Sequence, residues 1–122
     1  MNFTVLGWNF RNTPLEIRDR LALTLEEQLA LVKQLGPRCG IRETVLLSTC
    51  NRTEFYLANM ESPAKDLLDA LQQHWGIPEL TQTHYLLRDH EAVRHLFRVA
   101  ASLDSMVVGE PQILGQLKEA FG

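Results

Sequence analysis

The chain has 122 residues, of which 45% are hydrophobic and 22% charged, with a formal net charge of −3. That is room for one folded domain, or one domain and the start of another, but not for a catalytic domain plus a separate dinucleotide fold. The mild acidity argues against binding long nucleic acid by phosphate neutralisation alone, while leaving a local basic patch open. No apolar run approaches the roughly 18 residues that a membrane span requires. The two cysteines, Cys39 and Cys50, have no C-x-x-C spacing and no signal-peptide pattern precedes them. They predict free thiols in a reducing, cytoplasmic setting rather than a disulfide framework or a zinc site.

In chain order, "FTVLGW" (3–8) predicts a buried strand. "TPLEIRDRLAL" (13–23) predicts a helix with Pro14 just inside its start. A second helix is expected over 24–36, with Thr24 as N-cap, Glu27 at the capping-box position and Gly36-Pro37 as the stop. "ETVLLS" (43–48) and "TEFYLA" (53–58) predict two strands around a polar turn. Residues 62–76 predict a helix capped by Ser62, with Pro63 at its first position and Gly76 at its end. "THYLLR" (83–88) predicts a fourth strand, and 89–102 a helix capped by Asp89. The segment "GEPQILGQLKEAFG" (109–122) predicts the start of another helix at Pro111. This order predicts an α+β fold of ferredoxin-like (split βαβ) type: an antiparallel sheet with helices on one face. We place 1–108 in one domain and 109–122 at the start of a further helix.

Three places could carry chemistry. Cys50 lies in "STCNRTE", a polar turn between two apolar runs, which is a poor place for a packing residue. A thiol with an unperturbed pKa of ~8.5 is activated by nearby positive charge, and Arg52 is close in sequence. On the turn alone, a structural and a nucleophilic cysteine stay equally open, and Cys39 in the connector after Pro37 carries no such signal. On a helix from residue 90, Glu91, His95, Arg98 and Ser102 form one stripe, with Val93, Leu96, Phe97 and Ala100 on the apolar side. His95 could face a cleft from there, or be a boundary histidine. His74, His84 and His90 lack ligand spacing, so no metal site is expected. In "LDSMVVGEPQILGQ" (103–116), Glu110 precedes Pro111, and Gln112 and Gln116 share a helical face. A helix start beside a carboxylate can receive a polar ligand with both charge signs, or can be a capped helix with solvated glutamines.

"GWNFRNTPLEIRDRLAL", "LLSTCNRTEFY" and "HLFRVAASLDSMVVGEPQILGQLK", in that order across nearly all of the chain, resemble the N-terminal catalytic domain of the glutamyl-tRNA reductase family. The resemblance implies NADPH-dependent conversion of glutamyl-tRNA to glutamate-1-semialdehyde through a cysteine thioester, the first step of tetrapyrrole synthesis. It implies Cys50 as nucleophile, His95 as a residue linked to activity, and Thr49, Asn51, Arg52, Ser105, Glu110, Pro111, Gln112 and Gln116 as substrate-binding positions. Arg52 would hold the substrate carboxylate, since its planar fork pairs with carboxylates bidentately, and Glu110 would receive the α-ammonium group. The resemblance also implies that 109–122 begins a long spine helix, and that NADPH-binding and dimerisation domains lie outside this chain. The full-length protein would be a homodimer with an aminomutase as product-channelling partner. Phe10 stands where the family usually has histidine. That departure keeps a second reading in view: a non-catalytic ferredoxin-like module binding glutamate or tRNA.

Overall fold

The computed structural model describes residues 2–105. Its elements are β1 (Phe3–Asn9), α1 (Leu15–Leu21), α2 (Leu25–Cys39), β2 (Glu43–Ser48), β3 (Arg52–Ala58), α3 (Ala64–Trp75), the short α4 (Leu80–Thr83), β4 (Tyr85–Arg88) and α5 (His90–Ser105). The four strands form one sheet in the order β2-β3-β1-β4, and every neighbouring pair is antiparallel. This is the expected α+β fold with β-α-β-β-α-β connectivity.

β1 is buried along its whole length, so both faces of the sheet need cover. Alternation along the strands divides the apolar side chains between two cores. On one face Leu6, Trp8, Leu46, Phe55 and Leu57 pack against α1, α2, α3 and α4 through Leu21, Leu31, Leu35, Leu67, Leu71 and Leu80. On the other, Phe3, Val5, Leu47 and Tyr56 pack against Ala92 and Val99 of α5. The expectation of helices on one face is corrected here. The second apolar face must be buried as well, and α5 is the helix that closes it.

Several boundaries differ for local reasons. Thr24 and Glu27 form the expected capping box, each side chain bonded to the other residue's backbone N–H. The helix nevertheless runs through Gly36 and Pro37 to Cys39, and stops at Gly40 in the left-handed region, φ 64°. Leu35 and Cys39, one turn apart, are both in the core, and their burial holds the last turn despite the proline. Cys39 is therefore a core residue, and burial pushes its thiol up. Ser62 makes no cap on α3, which starts after Pro63 and ends at Gly76, φ 65°. Asp89 stands at the start of α5 as expected, its carbonyl accepting the Val93 N–H at 2.9 Å. Its side chain is used elsewhere: Oδ1 accepts the Phe3 N–H at 3.1 Å, and the Asp89 N–H donates to the Phe3 carbonyl at 2.7 Å. Asp89 thereby ties the start of α5 to β1. The buried stripe of α5 is shifted from the expected one: Val93 and Leu96 pack against the core as expected and Ala92 and Val99 are buried beside them, whereas Phe97 is 68% exposed.

Candidate functional site

Cys50 is exposed at the tip of the β2–β3 hairpin. The turn is built by Thr49, whose Oγ1 accepts the backbone N–H groups of Asn51 (3.0 Å) and Arg52 (3.2 Å), while its own N–H donates to the Arg52 carbonyl at 2.8 Å. A threonine hydroxyl bonded two and three residues ahead is a common way to close such a loop. The Asn51 carbonyl accepts the Phe10 N–H at 2.9 Å, which fastens the turn to the segment after β1. That segment is itself ordered by Asn9, whose Oδ1 accepts the Arg11 N–H and whose carbonyl accepts from Asn12 and Thr13.

Arg52 begins β3 and points to the α5 face, as do Glu54 and Tyr56 two and four residues on. There Glu54 is the centre of a buried polar cluster; its side chain is 0% exposed. Glu54 Oε1 accepts the Tyr56 hydroxyl at 2.6 Å. Glu54 Oε2 accepts Arg52 Nη1 at 3.4 Å, the Tyr85 hydroxyl, and Nε2 of His95. Tyr85 reaches Glu54 across β1 because Gly7 pairs with both residues and has no side chain between them. A Cβ on Gly7 would lie 2.8 Å from the Tyr85 Oη and 2.9 Å from the Glu54 Cγ. Burial alone would raise the Glu54 carboxyl, but the hydrogen bond and charge of His95, with the Tyr56 and Tyr85 hydroxyls, hold it below the usual carboxylate range. Burial and the Glu54 charge push both tyrosines well above the ordinary phenol range.

Above this cluster lies a cavity of about 410 Å³ lined by Asn9, Phe10, Arg11, Asn12, Arg52, Tyr85, Leu87, His95, Arg98, Val99 and Ser102. Three of these side chains are arginines and none is a carboxylate. The cavity is therefore electropositive in a chain of net charge −3. Phe10 is half exposed, with the Arg11 guanidinium 5.5 Å from its ring centroid.

The structure thus brings Arg52 and His95 into one cavity, with Thr49, Cys50 and Asn51 on the turn beside it. Thr49 shapes the turn through its hydroxyl and, like Cys50 and Asn51, is not among the cavity's lining residues. Ser105 is the last residue of α5. Glu110, Pro111, Gln112 and Gln116 lie outside the described residues, as does the proposed helix over 109–122. Sequence reasoning missed Glu54, Tyr56 and Tyr85. The available signal was a lone carboxylate in an apolar strand, two residues from Arg52 and from Tyr56 and so on their face. No group of three His, Cys, Asp or Glu among the described residues is placed to hold a metal ion. No helix among them is long and apolar enough to cross a membrane.

Fold and site together define an α+β domain that presents an exposed thiol on a hairpin turn beside a cationic cavity. Residues 6–122 match the family model for the N-terminal domain of glutamyl-tRNAGlu reductase. The glutamyl-tRNA reductase of Marinobacter nauticus is 47% identical over 123 residues, covering 99% of this chain and 29% of that protein. That of Aquifex aeolicus is 43% identical over 118 residues, covering 96% and 29%. The solved glutamyl-tRNA reductase of Methanopyrus kandleri superposes with a TM-score of 0.63 at 33% identity, over 98% of this chain and 27% of that one. The chain belongs to the glutamyl-tRNA reductase family and corresponds to its N-terminal domain. It spans 29% of the length of these two relatives.

Proposed function

We propose that this domain carries the acyl-transfer half of glutamyl-tRNA reduction. The observation that supports it is the exposed Cys50, two residues from Arg52, on a turn fastened to the wall of a cavity lined by Arg11, Arg52, Arg98 and His95. In this reading the Cys50 sulfur attacks the ester carbon that joins glutamate to tRNA. The C–O bond breaks, the ribose oxygen leaves with a proton, and glutamate remains as a thioester on Cys50. A sulfur nucleophile suits the step, because thiolates attack acyl carbons readily and the thioester is more easily reduced than the ester it replaces. Arg52 holds a carboxylate of the glutamyl group. Its contact with Glu54 uses one of five N–H donors and fixes the guanidinium in place, leaving other donors for the substrate. Ser105, Glu110, Pro111, Gln112 and Gln116 complete the glutamate pocket in this reading.

NADPH would supply the hydride that converts the thioester to the aldehyde, glutamate-1-semialdehyde. The described residues do not fit that cofactor: they form an antiparallel sheet with no strand–glycine turn–helix unit to receive a dinucleotide phosphate. We therefore assign hydride transfer, homodimer contacts and any exchange with an aminomutase to the part of the relatives' length that this chain does not span. The reading puts the protein in the cytoplasm, at the start of tetrapyrrole synthesis.

Incubation with glutamyl-tRNA without NADPH, followed by mass spectrometry, tests the acyl-transfer reading. A glutamyl adduct on the Cys50 peptide, absent after Cys50→Ser, is expected. Binding of glutamyl-tRNA with no adduct on the unaltered chain would instead favour a non-catalytic binding module.

A further inference from the structure

The cavity-lining histidine is held by Glu54, the buried carboxylate that also anchors Arg52. His95 Nε2 meets Glu54 Oε2, and that same oxygen accepts from Tyr85 and Arg52 while Oε1 accepts from Tyr56. Arginine can only donate, and a carboxylate that already receives Arg52 and the two tyrosine hydroxyls is ionised, with no proton of its own to give to His95. The proton in the His95–Glu54 bond therefore sits on Nε2. Which nitrogen of an imidazole carries its proton is set by the bond the other one makes.

We propose that Glu54 is a positioning residue for His95: it keeps the proton on Nε2, so that Nδ1 is the nitrogen that gains and loses a proton during acyl transfer. The inference rests on the acyl-transfer reading above and adds which atom of His95 serves it. Nδ1 takes the thiol proton as the Cys50 sulfur forms its bond to the ester carbon. It returns that proton to the ribose oxygen as the C–O bond breaks, so His95 ends the step unchanged and the thiol proton leaves with the tRNA. Tyr56 and Tyr85 fix both carboxylate oxygens, which stops Glu54 from rotating away from the ring. Arg52 is anchored by the same carboxylate, so one buried group orients both the substrate-binding cation and the proton carrier. A histidine whose second nitrogen is locked by a carboxylate is a recurring device for proton transfer, because it fixes tautomer and ring orientation together.

Two measurements test this. Long-range ¹H–¹⁵N spectra of the unaltered protein, labelled at histidine, read the tautomer directly and need no variant. The neutral His95 ring is expected to carry its proton on Nε2, with Nδ1 showing the shift of an unprotonated nitrogen; a ring protonated on Nδ1 overturns the proposal. The second is the rate of glutamyl transfer to Cys50. Glu54→Gln is expected to slow it by about ten-fold or more, since general acid–base catalysis contributes about 10²–10⁴-fold and depends on the correct tautomer, and Tyr85→Phe is expected to slow it less. A rate within about two-fold of the unaltered protein for Glu54→Gln overturns the proposal while leaving acyl transfer on Cys50 intact. Absence of any adduct on the unaltered protein, with the Nε2-protonated ring observed, overturns the acyl-transfer reading and the role of Glu54 in it together.

Discussion

At Gly7 the two strands that flank β1 send side chains over it from opposite sides. Glu54 comes from β3 and Tyr85 from β4, and they meet above the one position on that face that has no side chain. Gly7→Ala would place a methyl group 2.8 Å from one and 2.9 Å from the other, which is closer than real contacts allow. Overpacking of this kind costs about 1–3 kcal/mol, and denaturant unfolding is expected to show a loss in that range. Because the methyl pushes Tyr85 and Glu54 apart, the same variant is also expected to slow adduct formation on Cys50; unchanged adduct kinetics would show that the cluster does not serve the reaction. None of this was visible along the sequence, because Gly7, Glu54, Tyr85 and His95 are brought together by strand pairing and by the face that α5 takes. Cys50 and Arg52 could be singled out because their setting is local: one polar turn between two apolar runs.

Among the elements, the two helices that end in left-handed glycines give a matched comparison. Gly40 closes α2 at φ 64° and Gly76 closes α3 at φ 65°, each with its N–H returned to a carbonyl four residues back. A side chain in this conformation costs about 1–2 kcal/mol whatever surrounds it. At Gly76 nothing lies within 4 Å of where a Cβ would stand, whereas at Gly40 it would lie 2.8 Å from the Glu61 Cβ. Gly76→Ala is expected to lose only the conformational amount in urea unfolding, and Gly40→Ala that amount plus the overlap. Equal losses would mean that the chain after Gly40 yields freely. The Gly76 stop was legible from sequence, since a glycine following an amphipathic run ends many helices. The Gly40 stop was not, because Gly36-Pro37 gives a stronger local signal, and only the burial of Leu35 and Cys39 shows why it is overridden. The side of the sheet that α5 covers was likewise beyond local pattern, since an amphipathic helix can close either apolar face.

For the molecule as a whole, the buried cluster predicts where folding stability depends on pH. Glu54 has a folded pKa below the ordinary 4.5, because the His95 bond and charge and the two tyrosine hydroxyls outweigh its burial. A depressed carboxyl contributes stability that is present above the unfolded value and is lost as pH falls through the folded one. Glu27 adds to the same acid limb, through its bond to the Thr24 backbone N–H and then the Thr24 hydroxyl's bond. Tyr56 and Tyr85 behave oppositely: burial, then the Glu54 charge, raises both above the ordinary 10.0. Their contribution is present below 10.0 and declines as pH rises beyond it, where unfolded tyrosines release protons that the folded ones keep. The cluster therefore gives a stability plateau between roughly pH 4.5 and pH 10, with one limb set by Glu54 and the other by the tyrosines. Urea unfolding measured across this range separates them. Glu54→Gln is expected to lower the plateau and flatten the acid limb, and Tyr85→Phe to flatten the alkaline limb while leaving most of the acid limb in place. Glu27→Gln serves as the control, since it touches the acid limb without reaching the site. An acid limb as steep in Glu54→Gln as in the unaltered protein would show that Glu54 is not ionised within the fold, and would remove the charge that holds Arg52 and His95 together.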